Sequence, residues 1–589
     1  MTRKRRDVLA HRDLYSFAAI VLLCVQVVVF RRFRIDDAFI AYRHARHLAE
    51  GLGPVMNAGE RVEGVSNLPW TALLGLLAAL GLEPHAVAPV LSFLCGLAVV
   101  GLTAALAARA LEDRRAGGPA ALFVAAAAPL AVWSVSGMET LAFTALLATL
   151  FFGALEEVPQ GRGGWRAGML LGGVAALRPE GIAYAFPLFL AAPAARRWWV
   201  RLVFGAALVL APFVLFRWLY YGDWLPNPVH AKLSPGTEAL ASGLLYVTKG
   251  ALTFPWLWFA LFGLPLCSAP RARLLAGWIA TTFLVALVSG GERFPGYRLL
   301  LPAWPALAVG AETGLRRLQL LAHRKNLRLA SALLLLVGVW LLVAPRTLLP
   351  LMAGALRWAR LQEAPAAHAV RLVAEMRALG ALALGLGGAG LWLRWRRHVL
   401  AEKPGAMESE VRGQKAAQGH LAARRTLQAA LVGALLLTLL PGWLDPSLRL
   451  CRVPDPAVRF GQPVGEYLRR TFPPATTVAT NCAGSLPYFA ELPVIDMLGL
   501  TDAHIARVRP DQRQWIGHEK GDGAYVLSRH PDLIVLGGPQ GSATPWPFPG
   551  DQQIVAAAEF QRDYTLQRVV LQDFEFLYYA RHASVPAPR

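Results

Sequence analysis

Long apolar runs with almost no charge inside them constrain this chain more than any other feature, because they recur from residue 14 to residue 443. Such a run can cross a ~30 Å hydrocarbon core, where every backbone N–H and C=O must find its partner within the segment, so each is expected to be a helix. The candidate spans are 14–30, 86–110, 119–134, 138–155, 166–178, 180–193, 200–219, 250–268, 273–290, 298–314, 327–345, 379–393 and 426–443, about thirteen crossings in all. A further apolar stretch at 68–82 is short for a crossing and reads as a re-entrant or interfacial helix. Composition agrees with the membrane class: only 16% of residues are charged, where a soluble chain carries about 25%.

The apolar runs stop near Asp445. Beyond it, alternating pieces such as 476–480 and 533–536 read as strands, and 457–472 and 522–529 read as helices. The expected fold class is therefore a polytopic α-helical membrane protein with a C-terminal soluble α/β domain. The division falls between 1–444 and 445–589, with 31–67 as the first loop on the far side of the membrane.

A net charge of +21 would suggest nucleic acid if one soluble domain carried it, but the Lys and Arg residues sit in short segments between apolar runs. That is the pattern of cytoplasmic loops, and no basic domain with interleaved aromatics exists, so nucleic acid is excluded as a partner. Arg3-Lys4-Arg5-Arg6 precedes the first run and no small-x-small cleavage site follows it, so an uncleaved first helix with a cytoplasmic N-terminus is expected. Alternating sides from there puts the basic segments 109–115, 162–166, 196–197, 271–273, 316–328 and 394–425 all on the cytoplasmic face. The agreement holds only if 68–82 does not cross, and an odd number of spans then exports the C-terminal domain. In an oxidising compartment, Cys451 and Cys482 could form a disulfide. No Cys-x-x-Cys or His-Glu-x-x-His metal signature is present.

Polar chemistry collects on the exported side. Directly after the first span comes Ile35-Asp36-Asp37-Ala38-Phe39-Ile40-Ala41-Tyr42-Arg43-His44-Ala45-Arg46-His47. A helix starting near Asp36 would place Asp36, Arg43 and His47 on one face and Asp37, Ala41 and His44 on the next. The bland alternative is that one carboxylate merely caps the helix and favours its dipole. Further on, Glu63 and Asn67 lie in a polar stretch before the interfacial helix, and Arg178-Pro179-Glu180 joins two short apolar segments. An Arg at that boundary suits a phosphate, because its planar fork makes paired bonds; it could equally pair with Glu180 or Glu139. The segments 221–232 and 290–298 add Asn227, His230, Lys232, Arg293 and Arg298, together with aromatic rings of the kind that form an interfacial belt.

Taken in order, Asp-Asp-Ala-Phe-Ile, Gly-Glu-Arg-Val-Glu-Gly, Gly-Met-Glu-Thr, Arg-Pro-Glu-Gly, Gly-Asp-x-Leu-Pro-Asn and Pro-Gly-x-Arg resemble the GT-C glycosyltransferases, and among them the AftB-like arabinofuranosyltransferases. The likeness continues through 483–489, 494–502 and 517–520. It implies a multi-pass protein of the bacterial cytoplasmic (inner) membrane with a periplasmic C-terminal domain. The first periplasmic loop would carry an acidic catalytic residue, a position that Asp36 and Asp37 match. The implied donor is a polyprenyl-phosphate sugar and the acceptor a glycan, lipid or protein of the cell envelope. Donor and phosphate contacts would come from Arg43, His47, Arg178, Glu180, Asn227, His230, Lys232, Arg293 and Arg298, and acceptor contacts from Glu63, Asn67, Glu139 and His518. No resident metal site is expected, although a divalent cation (Mg or Mn) could bridge carboxylate and phosphate. A lipid or solute transporter and a non-catalytic assembly subunit are the rival classes. Ionisable groups at the outer boundary rather than the midplane, and a large exported domain, favour the enzyme.

Overall fold

The structure is a computed structural model that describes residues 3–161, 163–191, 196–232, 237–254, 263–292, 294–323, 445–509 and 518–582, with 260, 435, 438, 439, 442 and 443 besides. Arg293, the spans expected at 327–345 and 379–393, the basic loop 394–425 and most of the span at 426–443 lie outside the described residues.

Among the described residues up to Thr253, twelve α-helices follow one another: α1 (Arg3–Phe30), α2 (Asp36–Ala49), α3 (Leu68–Ala79), α4 (Pro84–Ala110), α5 (Gly118–Ala126), α6 (Ala128–Ser134), α7 (Thr140–Gln160), α8 (Trp165–Leu177), α9 (Ala185–Ala191), α10 (Arg196–Tyr221), α11 (Asn227–Lys232) and α12 (Thr237–Thr253). Ala269–Val288 and Trp304–His323 follow. Among the described residues, four helices are both long and apolar enough to cross a membrane: α4, α7, α10 and Ala269–Val288. The chain is thus a multi-pass membrane protein. Helix α3 has 12 residues, roughly 18 Å at the α-helical rise, too short to span, as its length in the sequence suggests.

Prolines decide where several expected spans break. The run at 119–134 divides at Ala127, whose backbone is extended, because Pro129 cannot donate to the carbonyl of Ala125. That freed carbonyl takes a 2.5 Å bond from the buried Gln26 side chain of α1, so it is not left unpaired. The expected spans 166–178 and 180–193 become α8, an extended Arg178, a 3-10 turn at Pro179–Tyr184 and α9. The span expected at 298–314 likewise opens with a 3-10 turn, Arg298–Ala303, before Trp304–His323. The middle of the span expected at 250–268, residues 255–259, 261 and 262, lies outside the described residues, and the helix α12 ends at Thr253, within its first turn. Close packing of α8 on α10 rests on glycine: a Cβ at Gly168 would lie 2.2 Å from the carbonyl oxygen of Leu202.

The C-terminal domain carries a five-stranded sheet ordered β2-β1-β3-β5-β4. Strands β1 (Val478–Thr480), β2 (Val494–Asp496) and β3 (Leu533–Val535) pair in parallel, and β4 (Tyr564–Leu571) with β5 (Phe574–Arg581) adds an antiparallel hairpin. One core under the sheet joins Val464, Leu468 and Leu486 to Val478, Leu533 and Phe576; the other joins Ile495, Val526, Ile534 and Ile554. The α/β expectation agrees with this sheet domain. The disulfide does not: Cys451 and Cys482 are both free. Cys451 packs in the membrane-side core with its thiol toward the Ser447 carbonyl, while Cys482 belongs to the sheet-domain core beside Asp36, so different cores hold the two sulfurs.

Candidate active site at the junction of membrane helices and sheet domain

Helix α2 starts where the sequence places it, but neither carboxylate caps it. Ile35, extended at φ −125°, is the N-cap, and Asp36 and Asp37 occupy the first turn, where the helix dipole favours negative charge. The two neighbours then diverge. Asp36 turns into the sheet domain, where it accepts the backbone N–H groups of Gly484 (3.0 Å) and Ser485 (2.7 Å) and the Ser485 hydroxyl (2.6 Å). The Cys482 thiol lies 3.4 Å away. Burial lifts the Asp36 carboxyl above its ordinary range, partly offset by the Ser485 donors.

Asp37 points the other way, with its Oδ2 3.1 Å from Lys232 Nζ. Burial alone would raise its pKa, but Lys232 and Arg298, helped by His518, hold it below the usual carboxylate range, so it is ionised. Lys232 ends α11, a short helix fastened at several points. The Asn227 backbone N–H donates to the Glu63 carbonyl (3.1 Å), its side-chain amide to the Gly499 (2.9 Å) and Leu500 (3.0 Å) carbonyls, and Lys520 donates to the His230 carbonyl (2.8 Å). His230 itself bonds Asp223 at 3.0 Å.

Next to this pair runs a strip of alternating charge. Arg298 is paired with Glu292, and one of its nitrogens lies 3.2 Å from the Met138 sulfur. Arg178 bonds Glu180 at 2.6 Å and reaches Glu139 at 3.4 Å, and Glu139 accepts a 2.6 Å bond from the Asn67 amide. The structure therefore brings together Asp37, Lys232, Arg298, Arg178, Glu180, Glu139 and Asn67 from segments far apart in sequence. His518 lies within electrostatic reach of Asp37 and stacks on Phe548.

Other residues expected here have different employment. Arg43 is buried and spends its donors on the carbonyls of Met56 (2.8 Å), Pro487 and Leu492 (2.7 Å), tying α2 to the sheet domain. His47 bonds the Val55 carbonyl at 2.9 Å. Glu63 forms a sealed pair with Arg217 of α10, at 2.5 and 3.0 Å. Asn227 and His230 fix α11 rather than face the Asp37 pair. The face expected to unite Asp36, Arg43 and His47 is instead an interface: Asp36 and Arg43 find partners in the sheet domain, and His47 finds its partner in the neighbouring loop. Glu292, Gly484 and Ser485 were not expected as site residues. A carboxylate six positions before Arg298 in a glycine-rich turn was the available signal for Glu292, and the Ala-Gly-Ser string for the other two.

Residues 455–584 match a family described as a domain of unknown function, DUF8728. The terminal beta-(1->2)-arabinofuranosyltransferase of Mycobacterium tuberculosis is 32% identical over 237 residues, covering 37% of this chain and 38% of that protein. The chain thus spans well under half the length of this curated relative in the alignment. Over nearly the whole chain the fold is similar to the crystal structure of ArnT from Cupriavidus metallidurans bound to undecaprenyl phosphate, with a TM-score of 0.51 and 16% identity, covering 98% of this chain and 99% of that one. The apo ArnT structure matches with a TM-score of 0.49 and 15% identity over 98% of each chain. The GT-C-like fold expected from the motifs, membrane helices followed by a small sheet domain, is the fold found.

Proposed function

We propose that this chain is a membrane glycosyltransferase that moves a sugar from a polyprenyl-phosphate donor to an acceptor hydroxyl, with Asp37 as general base and Lys232, Arg298 and Arg178 as cations for the donor phosphate. The observation that carries the reading is the Asp37–Lys232 pair at 3.1 Å, flanked by Arg298, at the junction of the membrane helices and the sheet domain. The fold shared with ArnT and the sequence shared with an arabinofuranosyltransferase support the reaction class.

The geometry suggests how the parts work in sequence. In the resting state Lys232 holds Asp37 as a carboxylate that is ionised but weakly basic. A bound donor phosphate competes for Lys232 and Arg298, and as they turn to the phosphate, Asp37 regains basicity. The acceptor oxygen then bonds to the sugar's anomeric carbon while the bond from that carbon to the phosphate oxygen breaks. Asp37 takes the acceptor proton, and polyprenyl phosphate leaves with the electron pair, its growing charge met by the cations. The lipid tail stays in the bilayer throughout, which is why the site lies at a membrane boundary. We assign the reaction to the periplasmic face and the acceptor to an envelope glycan, lipid or protein. A pentofuranosyl donor is the first to test, from the similarity to an arabinofuranosyltransferase.

The test is transfer by the purified chain in nanodiscs from a panel of polyprenyl-phosphate sugars, with Asp37→Asn alongside. Transfer by the wild type that falls by about 10²–10⁴ in the folded variant is expected for loss of a general base. If no donor serves and Asp37→Asn complements a deletion as well as wild type does, transport or scaffolding replaces catalysis.

A further inference from the structure

We infer that the Cys482–Ser485 turn of the sheet domain is a positioning clamp for the catalytic carboxylate: it holds Asp36 so that Asp37, the next residue, faces Lys232. The inference rests on the reading of Asp37 as the base and assigns its neighbour a separate task.

Three observations carry it. Asp36 receives two backbone N–H groups and one hydroxyl from residues 446 or more positions away in the chain, all at 2.6–3.0 Å. Three of the roughly four acceptor sites of the carboxylate are thus occupied, as suits one that is held in place. Ser485 is fully buried, and its hydroxyl, with a single proton to donate, lies between Asp36 and the Ala457 carbonyl (2.8 Å) at the start of the helix Pro456–Thr471. At Gly484 there is no room for a side chain: a Cβ would lie 2.0 Å from the Asp36 carbonyl oxygen and 2.7 Å from its carboxyl carbon. Glycine is needed here for close approach, since contact is made with rigid backbone that cannot swing away.

The other half of the pair is located from the same domain. The Asn227 amide on the Gly499 and Leu500 carbonyls and the Lys520 ammonium on the His230 carbonyl fix α11, whose last residue is Lys232. The Asp455 backbone N–H also donates to the Arg34 carbonyl at 3.0 Å, fixing the chain just before α2. Both members of the Asp37–Lys232 pair are thus placed by contacts with the sheet domain, although both belong to the membrane half of the sequence. That domain completes the active site rather than only presenting an acceptor.

Ser485→Ala removes the hydroxyl and keeps the backbone donors. Misplacing a reacting group by about 1 Å costs roughly 10²-fold, and with two of three donors retained the expected fall in kcat is about 10-fold, with the donor KM unchanged. Hydrogen exchange of the α2 amides that follow Asp36 should accelerate in the same variant while the β1–β3 amides keep their protection. Ser485→Thr, which restores a hydroxyl, should recover most of kcat. Asp36→Asn presents an N–H₂ to one of the two donor N–H groups and should lower kcat by about 10–100-fold, and Ser485→Ala should add little to that loss. The clamp is overturned if Ser485→Ala leaves kcat and the α2 exchange at wild-type values, or if Asp36→Asn abolishes transfer while Asp37→Asn retains it. The first result leaves Asp37 as the base and removes only the clamp; the second makes Asp36 the base and overturns both assignments. Gly484→Ala is the harsher variant, expected to lose folded protein or activity outright, and the conclusion does not depend on it.

Discussion

Two ion pairs join the segment 31–67 to the region 196–232, and they are built to opposite ends. Glu63 and Arg217 lie 2.5 Å apart with side chains 2% and 9% exposed. Asp37 and Lys232 lie 3.1 Å apart with side chains 19% and 43% exposed. The first pair is sealed, and Arg217 sits within a membrane-crossing helix, where an unpaired charge is costly. The second is open to whatever enters from outside, so an incoming anion can displace the carboxylate. A sealed pair fastens the fold; an open pair can exchange partners, which is what a reaction needs.

The sharpest way to break that comparison is to remove the same charge from both. Asp37→Asn should lose transfer by about 10²–10⁴ while the protein extracts and melts like wild type. Glu63→Gln should cost about 3–5 kcal/mol of stability, because it leaves Arg217 buried without its counter-charge, and should show mainly as lost folded protein in size-exclusion yield. Equal melting temperatures for the two variants would dissolve the distinction between fastening and exchange.

Next in size is the loss of the cation. Lys232→Ala should raise the donor KM about tenfold, in line with loss of one charge-assisted contact worth roughly 1.5 kcal/mol, and Lys232→Arg should recover part of it. A variant that changes kcat alone, with donor KM untouched, would place Lys232 away from the ground-state phosphate.

The smallest effect concerns pH and two other buried carboxyls. Burial raises Asp496 and Asp455 to about 6 from an ordinary 3.8, against opposing backbone hydrogen bonds; the Asp36 and Asp37 charges also raise Asp455. Folding therefore favours their protonated forms, and the stability they contribute is full below about pH 4 and lost as pH rises through about 6. The melting temperature should fall modestly between pH 4 and pH 7, and Asp496→Asn should flatten part of that slope. A melting temperature that climbs over the same interval would show these carboxyls to be held ionised.

Much of this architecture was legible from local pattern. The apolar runs predict α4, α7, α10 and Ala269–Val288 because a bilayer of given thickness demands that length of apolar helix, and the short run at 68–82 predicts a helix that does not cross. Strands β1 and β3 fall within the short pieces 476–480 and 533–536 that read as strands, and every residue of both is buried; the start of α2 follows from an acidic pair ahead of an amphipathic pattern. Roles within the site were less legible. Arg43 and His47 stand at helical spacing from Asp36 and are side chains that can bond a phosphate, yet both are engaged by carbonyl groups, among them those of Pro487 and Leu492 in the sheet domain.

The division has a physical cause. Helix, strand and span are decided by neighbours a few residues apart, through burial, backbone hydrogen bonding and the length of chain needed to cross a membrane, and those neighbours are written in order. Which of two adjacent carboxylates is held by the sheet domain and which faces Lys232 depends on partners 448 and 195 residues away. Successive residues on a helix point about 100° apart, so packing of the sheet domain on one side of α2 and of α11 on the other sent Asp36 to Ser485 and Asp37 to Lys232. The sequence by itself determined that a membrane protein would carry an acidic pair at the head of a short helix. Only the tertiary structure decided which member of the pair meets a cation in the open, because that choice is made by surfaces the chain brings together on folding.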